Sequence, residues 1–307
     1  MNTIERALHK AENENQIAAN PTALPEDIKS QLDKGKEELL STPMSTKNRI
    51  DATENGNLLN KERIENIDWD KLAGMGFVTP SINTDQKSIE EYRNIKRPLI
   101  NNALGSGSEG IQRSNLILVT SSVPGEGKTF SAINLALSIA NERDTKVLLI
   151  DADVARPSIS KTLGIKSSPG LIEYLEKNDI EFSDIILKTN MPGLSVVPAG
   201  KQHRHSTELL TSNKMVRLAQ ELSTRYPDRI VIFDSPPLLA ATQGAALAGL
   251  VGQVVLVVEA ENTPQAMVMS SVNKLEFCDV VLLLLNKTQV YMETGYYGYD
   301  GYGTYGN

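Results

Sequence analysis

The sequence predicts an α/β fold built on a mostly parallel sheet with helices on both faces. Two observations carry this. Six short, nearly continuous apolar runs recur from Asn115 onward: NLILVTSS, KVLLIDAD, LSVVPAG, RIVIFDSPP, QVVLVVEA and VVLLLLN. Such runs suit strands buried on both faces. Between most of them lie segments of helical period, such as TFSAINLALSIANER and STELLTSNKMVRLAQELSTRY. Strand and helix in alternation make a parallel sheet, because each return to the same end needs a crossover. Ligands of such sheets bind at the carboxyl ends of the strands, so the residues that close each run are the candidates for chemistry.

The elements follow in order. Residues 1 to about 85 are polar, rich in Asn, Glu, Lys and Thr. Met1 to Ala19 is expected as an amphipathic helix with Ile4, Ala7, Leu8 and Ala11 on one face. Residues 20 to 66 are weakly patterned and read as linker. Apolar residues return in IDWDKLAGMGFVTP, where Ile67, Trp69, Leu72 and Phe77 are placed to dock on a neighbouring domain. A helix from Ser88 toward Leu99 follows, opened by Ser88-Ile-Glu-Glu91 in capping-box order. The expected division is an N-terminal helix and linker over 1–85, a globular domain over 86–288 and a flexible tail over 289–307.

The first apolar run ends in Ser121-Ser-Val-Pro-Gly-Glu-Gly-Lys-Thr129 and leads into a helix. A Gly-rich turn between strand and helix, closed by Lys-Thr, is the setting of a phosphate-binding P-loop. Gly125 and Gly127 let backbone N–H groups curl around phosphate oxygens, and the helix N-terminus adds a favourable dipole. The nucleotide-binding stretch is Ser122, Val123, Pro124, Gly125, Glu126, Gly127, Lys128, Thr129 and Phe130. Within it Lys128 can reach the β- and γ-phosphates, and Thr129 can offer its hydroxyl to Mg²⁺. Ser122 stands where the usual pattern has Gly.

The second run ends in Asp151-Ala-Asp153-Val-Ala-Arg156-Pro157. Two carboxylates two residues apart on a strand point the same way, where they can hold Mg²⁺ or accept a proton from an attacking hydroxyl. The run ending in Asp234-Ser-Pro-Pro237 supplies a further metal-supporting carboxylate. The last run ends in Asn286, which can hydrogen-bond adenine. His9, His203 and His205 read as solvated residues with no partner ligands nearby in sequence, and Cys278 reads as a buried small hydrophobe.

Composition narrows the partners. A net charge of -7 argues against nucleic acid. A single cysteine fits a reducing cytoplasm. The first residues lack the apolar core of a signal peptide, and no apolar run approaches the roughly 18 residues of a membrane span. A role at the membrane therefore needs a partner.

The tail, YMETGYYGYDGYGTYGN, holds six of the nine tyrosines: Tyr291, Tyr296, Tyr297, Tyr299, Tyr302 and Tyr305. Its glycines disfavour helix and strand alike. Either it is a sticky low-complexity segment, or its phenols are themselves substrates.

Together, the loop, the Asp-Ala-Asp-Val-Ala-Arg-Pro and Phe-Asp-Ser-Pro-Pro segments and the tyrosine cluster resemble the bacterial tyrosine autokinases of exopolysaccharide export. The likeness runs closest to the stand-alone, exosortase-associated subgroup, and Asn2 to Lys10 is similar to that subgroup's N-terminal helix. The resemblance implies a P-loop NTPase fold of the SIMIBI, MinD-like type, with ATP and Mg²⁺ as cofactors and phosphoryl transfer to tyrosine. It makes Lys128, Asp151 and Asp153 catalytic and gives the metal Thr129, Asp151 and Asp234. It implies a ring in which one subunit's tail enters the next subunit's site, with contacts from Glu90, Arg93, Lys96 and Arg97. It also implies a membrane polysaccharide co-polymerase as activator, a phosphotyrosine phosphatase as antagonist, and recruitment to the inner face of the plasma membrane. The rival reading is a ParA- or MinD-like ATPase switch without kinase activity. Those relatives carry a signature Lys where this chain has Val123, and no cationic amphipathic helix closes the chain. A third reading, an adaptor whose tail only binds partners, leaves the P-loop unexplained.

Overall fold

The protein is described here from a computed structural model, which covers residues 64–81, 84–202, 204–226 and 228–288. The helix expected over Met1 to Ala19, the linker as far as residue 63, His9, His203 and the six tail tyrosines lie outside the described residues.

One eight-stranded sheet organises the domain. Its strands are β1 (Ile64–Glu65), β2 (Leu116–Ser121), β3 (Lys146–Asp151), β4 (Leu187–Thr189), β5 (Leu194–Val197), β6 (Arg229–Asp234), β7 (Gln253–Glu259) and β8 (Val280–Asn286). They stand in the order β1-β4-β5-β3-β6-β2-β7-β8, and every neighbouring pair is parallel except β4 with β5. All six expected strands are present. β1 and β4 are additions, and at two and three residues they are too short to leave a periodic trace.

The helices are α1 (Trp69–Gly74), α2 (Gln86–Leu104), α3 (Lys128–Ala140), α4 (Ile159–Leu163), α5 (Leu171–Glu176), α6 (Ser206–Leu209), α7 (Asn213–Arg225), α8 (Thr242–Ala248) and α9 (Gln265–Asn273). They cover both faces of the sheet. Ile117, Val119, Val147, Leu149, Ile230, Ile232, Val255 and Val257 point to one face and pack with buried residues of α2 and α3. Leu116, Leu118, Leu148, Ile150, Val231, Phe233, Val254 and Leu256 point to the other and meet α5, α7 and α8. Alternate residues thus feed two cores, which is why the strands read as continuous apolar runs. β8 departs from that reading. It is an edge strand, and Leu283 and Leu285 are each 61% exposed.

Three expectations change on this side of the molecule. The domain begins before residue 86: β1 pairs with β4, and Ile67, Leu72 and Phe77 are buried in the core beside α3. Asn190 fixes the entry of this segment by exchanging two 3.0 Å hydrogen bonds with the Ile67 backbone. The cap of α2 is Asp85, which accepts from Ser88 N at 3.0 Å, so Ser88 lies inside the first turn. The helix also continues past Leu99 to Leu104 through Pro98, because burying Leu99 and Ala103 outweighs the one backbone bond that proline forfeits.

Lys96 also departs from its expected place. Expected as a contact to another subunit, it is 5% exposed and turned inward. Its ammonium donates to Ser138 O at 2.7 Å and pairs with Glu142 at 2.6 Å, pinning α2 to α3. Glu90, Arg93 and Arg97 remain exposed, with Arg93 paired to Glu90.

Candidate nucleotide and phosphoryl-transfer site

Parallel pairing brings the carboxyl ends of β3, β6 and β2 side by side. Asp151 stands opposite Asp234 across β3 and β6, and Asp234 opposite Val119 across β6 and β2. From β2 the chain turns through Ser122 to Gly127 and enters α3. Gly125 (φ +96°) and Gly127 (φ +94°) take left-handed conformations that strain any L side chain. A Cβ on Gly127 would also collide with the Asn286 side chain.

The loop is braced from outside. Glu126, named among the phosphate-binding residues, is 1% exposed and turns its carboxylate inward, where it accepts from Val123 N at 2.7 Å and from Thr263 Oγ1. That leaves only its backbone for an anion. Asn286, expected at the adenine, donates its side-chain amide to Glu126 O at 2.8 Å. Lys287 Nζ donates to Gly125 O at 2.8 Å and pairs with Glu259 at 3.0 Å. Ser271 Oγ lies 2.9 Å from Ser122 Oγ beneath the loop. Donors held this way need no rearrangement when charge arrives.

Below the loop, Lys128 stands among three carboxylates. Its ammonium lies 2.7 Å from Asp153 and 3.7 Å from Asp234. Thr129 donates its hydroxyl to Asp234 Oδ2 at 2.6 Å and lies 3.3 Å from both Lys128 Nζ and Ser158 Oγ. Asp151 Oδ2 accepts from Ser158 N at 3.2 Å and Ile159 N at 3.1 Å, at the start of α4. Asp153 Oδ1 accepts from Arg156 N at 3.1 Å, closing the turn after β3. The structure thus brings together Lys128, Thr129, Asp151, Asp153 and Asp234.

The electrostatics follow from burial. Asp151 and Asp234 are fully buried. Burial, with the charge of Asp234 beside it, pushes the Asp151 carboxyl up to about 8. Burial pushes Asp234 up to about 6, against the pull of the Lys128 charge and the Thr129 hydrogen bond. Burial would lower Lys128, but the carboxylates of Asp234, Asp153 and Asp151 outweigh it and raise its affinity for a proton. Asp151 Oδ1 and Asp234 Oδ1 are buried without a hydrogen-bond partner.

The Asp234 carboxylate and the Thr129 hydroxyl bonded to it are hard donors of the kind Mg²⁺ prefers, so the residues present fit this metal. Among the described residues no three His, Cys, Asp or Glu side chains form a metal cage of their own. When bound, the ion neutralises developing charge on phosphate oxygens. His205 is exposed in the turn before α6, and burial lifts the Cys278 thiol to about 11, so it is no nucleophile near neutral pH.

Reading the sequence missed the supporting residues. Ser158, Thr263, Ser271 and Lys287 come from four different segments; Ser158 follows Pro157 and Lys287 follows Asn286, whereas Thr263 and Ser271 lie beside no motif in sequence.

The family model described as an AAA domain matches residues 114–282. Tyrosine-protein kinase YwqD of Bacillus subtilis is 31% identical over 221 residues, covering 70% of this chain and 89% of the relative. Tyrosine-protein kinase ptk of Acinetobacter johnsonii is 33% identical over 209 residues; the match covers 67% of this chain but spans only 27% of that longer relative. Among solved structures, the kinase domain of the Escherichia coli tyrosine kinase ETK superposes with a TM-score of 0.57 at 27% identity, covering 68% of this chain and 80% of that domain. The ring of carboxylates around Lys128 and these likenesses agree, and the chain belongs to the bacterial tyrosine-protein kinases with a P-loop domain.

Proposed function

We propose that the protein is an ATP- and Mg²⁺-dependent tyrosine autokinase that phosphorylates the C-terminal tyrosines of a neighbouring subunit. The observation that carries this is Lys128 held between Asp153 and Asp234, with the buried, partnerless oxygen of Asp151 at the same site. ATP is the phosphoryl donor and a tyrosine hydroxyl the acceptor. A bond forms between the phenol oxygen and the γ-phosphorus as the bond to the ADP oxygen breaks. Lys128 stabilises charge on the transferring group, and the loop amides hold the phosphates that stay behind. The phenol proton passes to the Asp151 carboxylate, which closes β3 opposite Asp234. Asp153 positions the Lys128 ammonium, and Thr129 with Asp234 is the pair that would hold the metal.

The acceptors are Tyr291, Tyr296, Tyr297, Tyr299, Tyr302 and Tyr305. The setting is exopolysaccharide synthesis or export, in the exosortase-associated branch. A ring of subunits works at the inner face of the plasma membrane with a co-polymerase as activator and a phosphotyrosine phosphatase as antagonist. No helix among the described residues is long and apolar enough to cross a membrane. The test is intact-mass measurement after incubation with Mg-ATP. Wild type should gain several phosphates on the tail and Lys128→Met none; equal gain in both would remove the assignment.

A further inference from the structure

We infer that Arg156, Lys201 and Arg204 form a cationic rim that recognises the acidic, tyrosine-rich tail of a second copy of this chain. The inference rests on the tail being the substrate, as proposed above. β3 and β5 are parallel neighbours, with Ile150 opposite Val197, so the segments that follow them leave the same edge of the sheet. The first carries Asp151 and Asp153 into the site and then Arg156, whose amide is bonded to Asp153 at 3.1 Å. The second carries Lys201 and Arg204. Gln202 Nε2 donates to Ala155 O at 3.1 Å, so the two segments touch beside the catalytic carboxylates.

All three cationic side chains are exposed, and among the described residues none has a carboxylate partner. Glu173 beneath them is 9% exposed and keeps its charge, with its oxygens accepting from Gly170 N, Ser168 Oγ and Lys201 N. Glu208 further along accepts from Thr207 Oγ1 at 3.0 Å. Asp153 is paired with Lys128. Three exposed cations against Glu173 and Glu208 leave the rim positive beside the site.

The complementary surface is in the sequence. Residues 291 to 307 carry Glu293 and Asp300 and no Lys or Arg. Charge placed at a rim steers encounter and fixes register rather than driving chemistry. Each phosphate added to the tail contributes about -1.5 to -2 charge. A tail phosphorylated once is therefore held more tightly than a fresh one, which favours successive phosphorylation of the same chain.

The test measures binding, so it is separate from transfer. A fluorescent peptide spanning residues 289–307 is titrated with the full-length protein and with the Arg156→Gln, Lys201→Gln, Arg204→Gln triple variant. The expected result is a loss of roughly tenfold or more in peptide affinity, with a flattened salt dependence and unchanged ATP affinity. A peptide carrying one phosphotyrosine should bind wild type more tightly, and one with Glu293→Gln and Asp300→Asn less tightly. Equal peptide affinity in wild type and variant would overturn the rim. So would a parallel loss of ATP affinity, which would assign the cations to nucleotide. Rim-dependent binding in a protein that transfers no phosphate would instead sink the kinase reading and leave the rim standing.

Discussion

Asp151 is wholly buried, with one carboxylate oxygen on the Ser158 and Ile159 amides and the other without a partner. An ionised group in that position costs stability, which the proposed role of Asp151 as base would explain. Asp151→Asn keeps an acceptor for both amides and removes the charge. The nucleotide-free variant should therefore gain about 1 kcal/mol or more, read as a higher thermal midpoint. ATP affinity should stay within about threefold while phosphoryl transfer falls about a hundredfold or more. A transfer rate within threefold of wild type would remove Asp151 from its role. A pH dependence follows as well. The folded-state affinities of Asp151 (about 8) and Asp234 (about 6) lie above their ordinary value of 3.8, so the folded state binds more protons than the unfolded one. Their stabilising contribution is complete below about pH 4 and is lost as pH rises toward 8. Thermal melts without nucleotide should show the midpoint falling between pH 6 and pH 8. Mg-ADP should restore more at pH 8 than at pH 6, and Asp151→Asn should flatten the slope. A midpoint that rises over this range would contradict the burial argument.

At the scale of elements, the segment that leads into α2 braces the start of α3. Phe77 packs on Phe130 with ring centroids 4.7 Å apart, and Val78 N donates to Asn134 Oδ1 at 2.7 Å. Phe77→Ala should cost about 3–5 kcal/mol by chemical denaturation. It should also weaken ATP binding, because Phe130 follows the residues that hold phosphate; unchanged ATP affinity at reduced stability would separate the brace from the site. Lys96 and Arg97 make a contrasting pair. Lys96→Ala removes the donor on Ser138 O and should destabilise the monomer by about 1–3 kcal/mol. Arg97→Ala, at an exposed position, should leave stability within about 0.5 kcal/mol and weaken assembly, seen by sedimentation. Such distinctions mark how far the sequence could be read. The P-loop, Asp151, Asp153 and Asp234 were legible because each closes an apolar run and the fold rule for parallel sheets says where those ends meet. Lys96 was not, because helical spacing places it beside Arg93 and Arg97 and only the packing of α3 shows that it points inward. The inward turn of Glu126 and the loop clamps of Asn286 and Lys287 were hidden for the same reason. They depend on contacts between segments more than 130 residues apart.

For the molecule as a whole, one edge of the sheet collects the loop and the carboxylates of the proposed site. The loop follows β2, the acids close β3 and β6, and Lys287, just beyond β8, is bonded to the loop carbonyl of Gly125. The described chain thus ends beside the loop. In the proposed ring, assembly would set the local concentration of acceptor, so Arg93→Ala or Arg97→Ala should lower transfer by dilution alone. Whether phosphate passes between subunits is decided by one mixture. A Lys128→Met chain with its tail intact is combined with an active chain truncated after Thr288, Mg-ATP is added, and tail phosphate is mapped by mass spectrometry. Phosphate on the inactive chain, at several of Tyr296, Tyr297, Tyr299, Tyr302 and Tyr305, is the expected result. An inactive chain that stays unmodified, in a mixture shown to co-assemble, would contradict it.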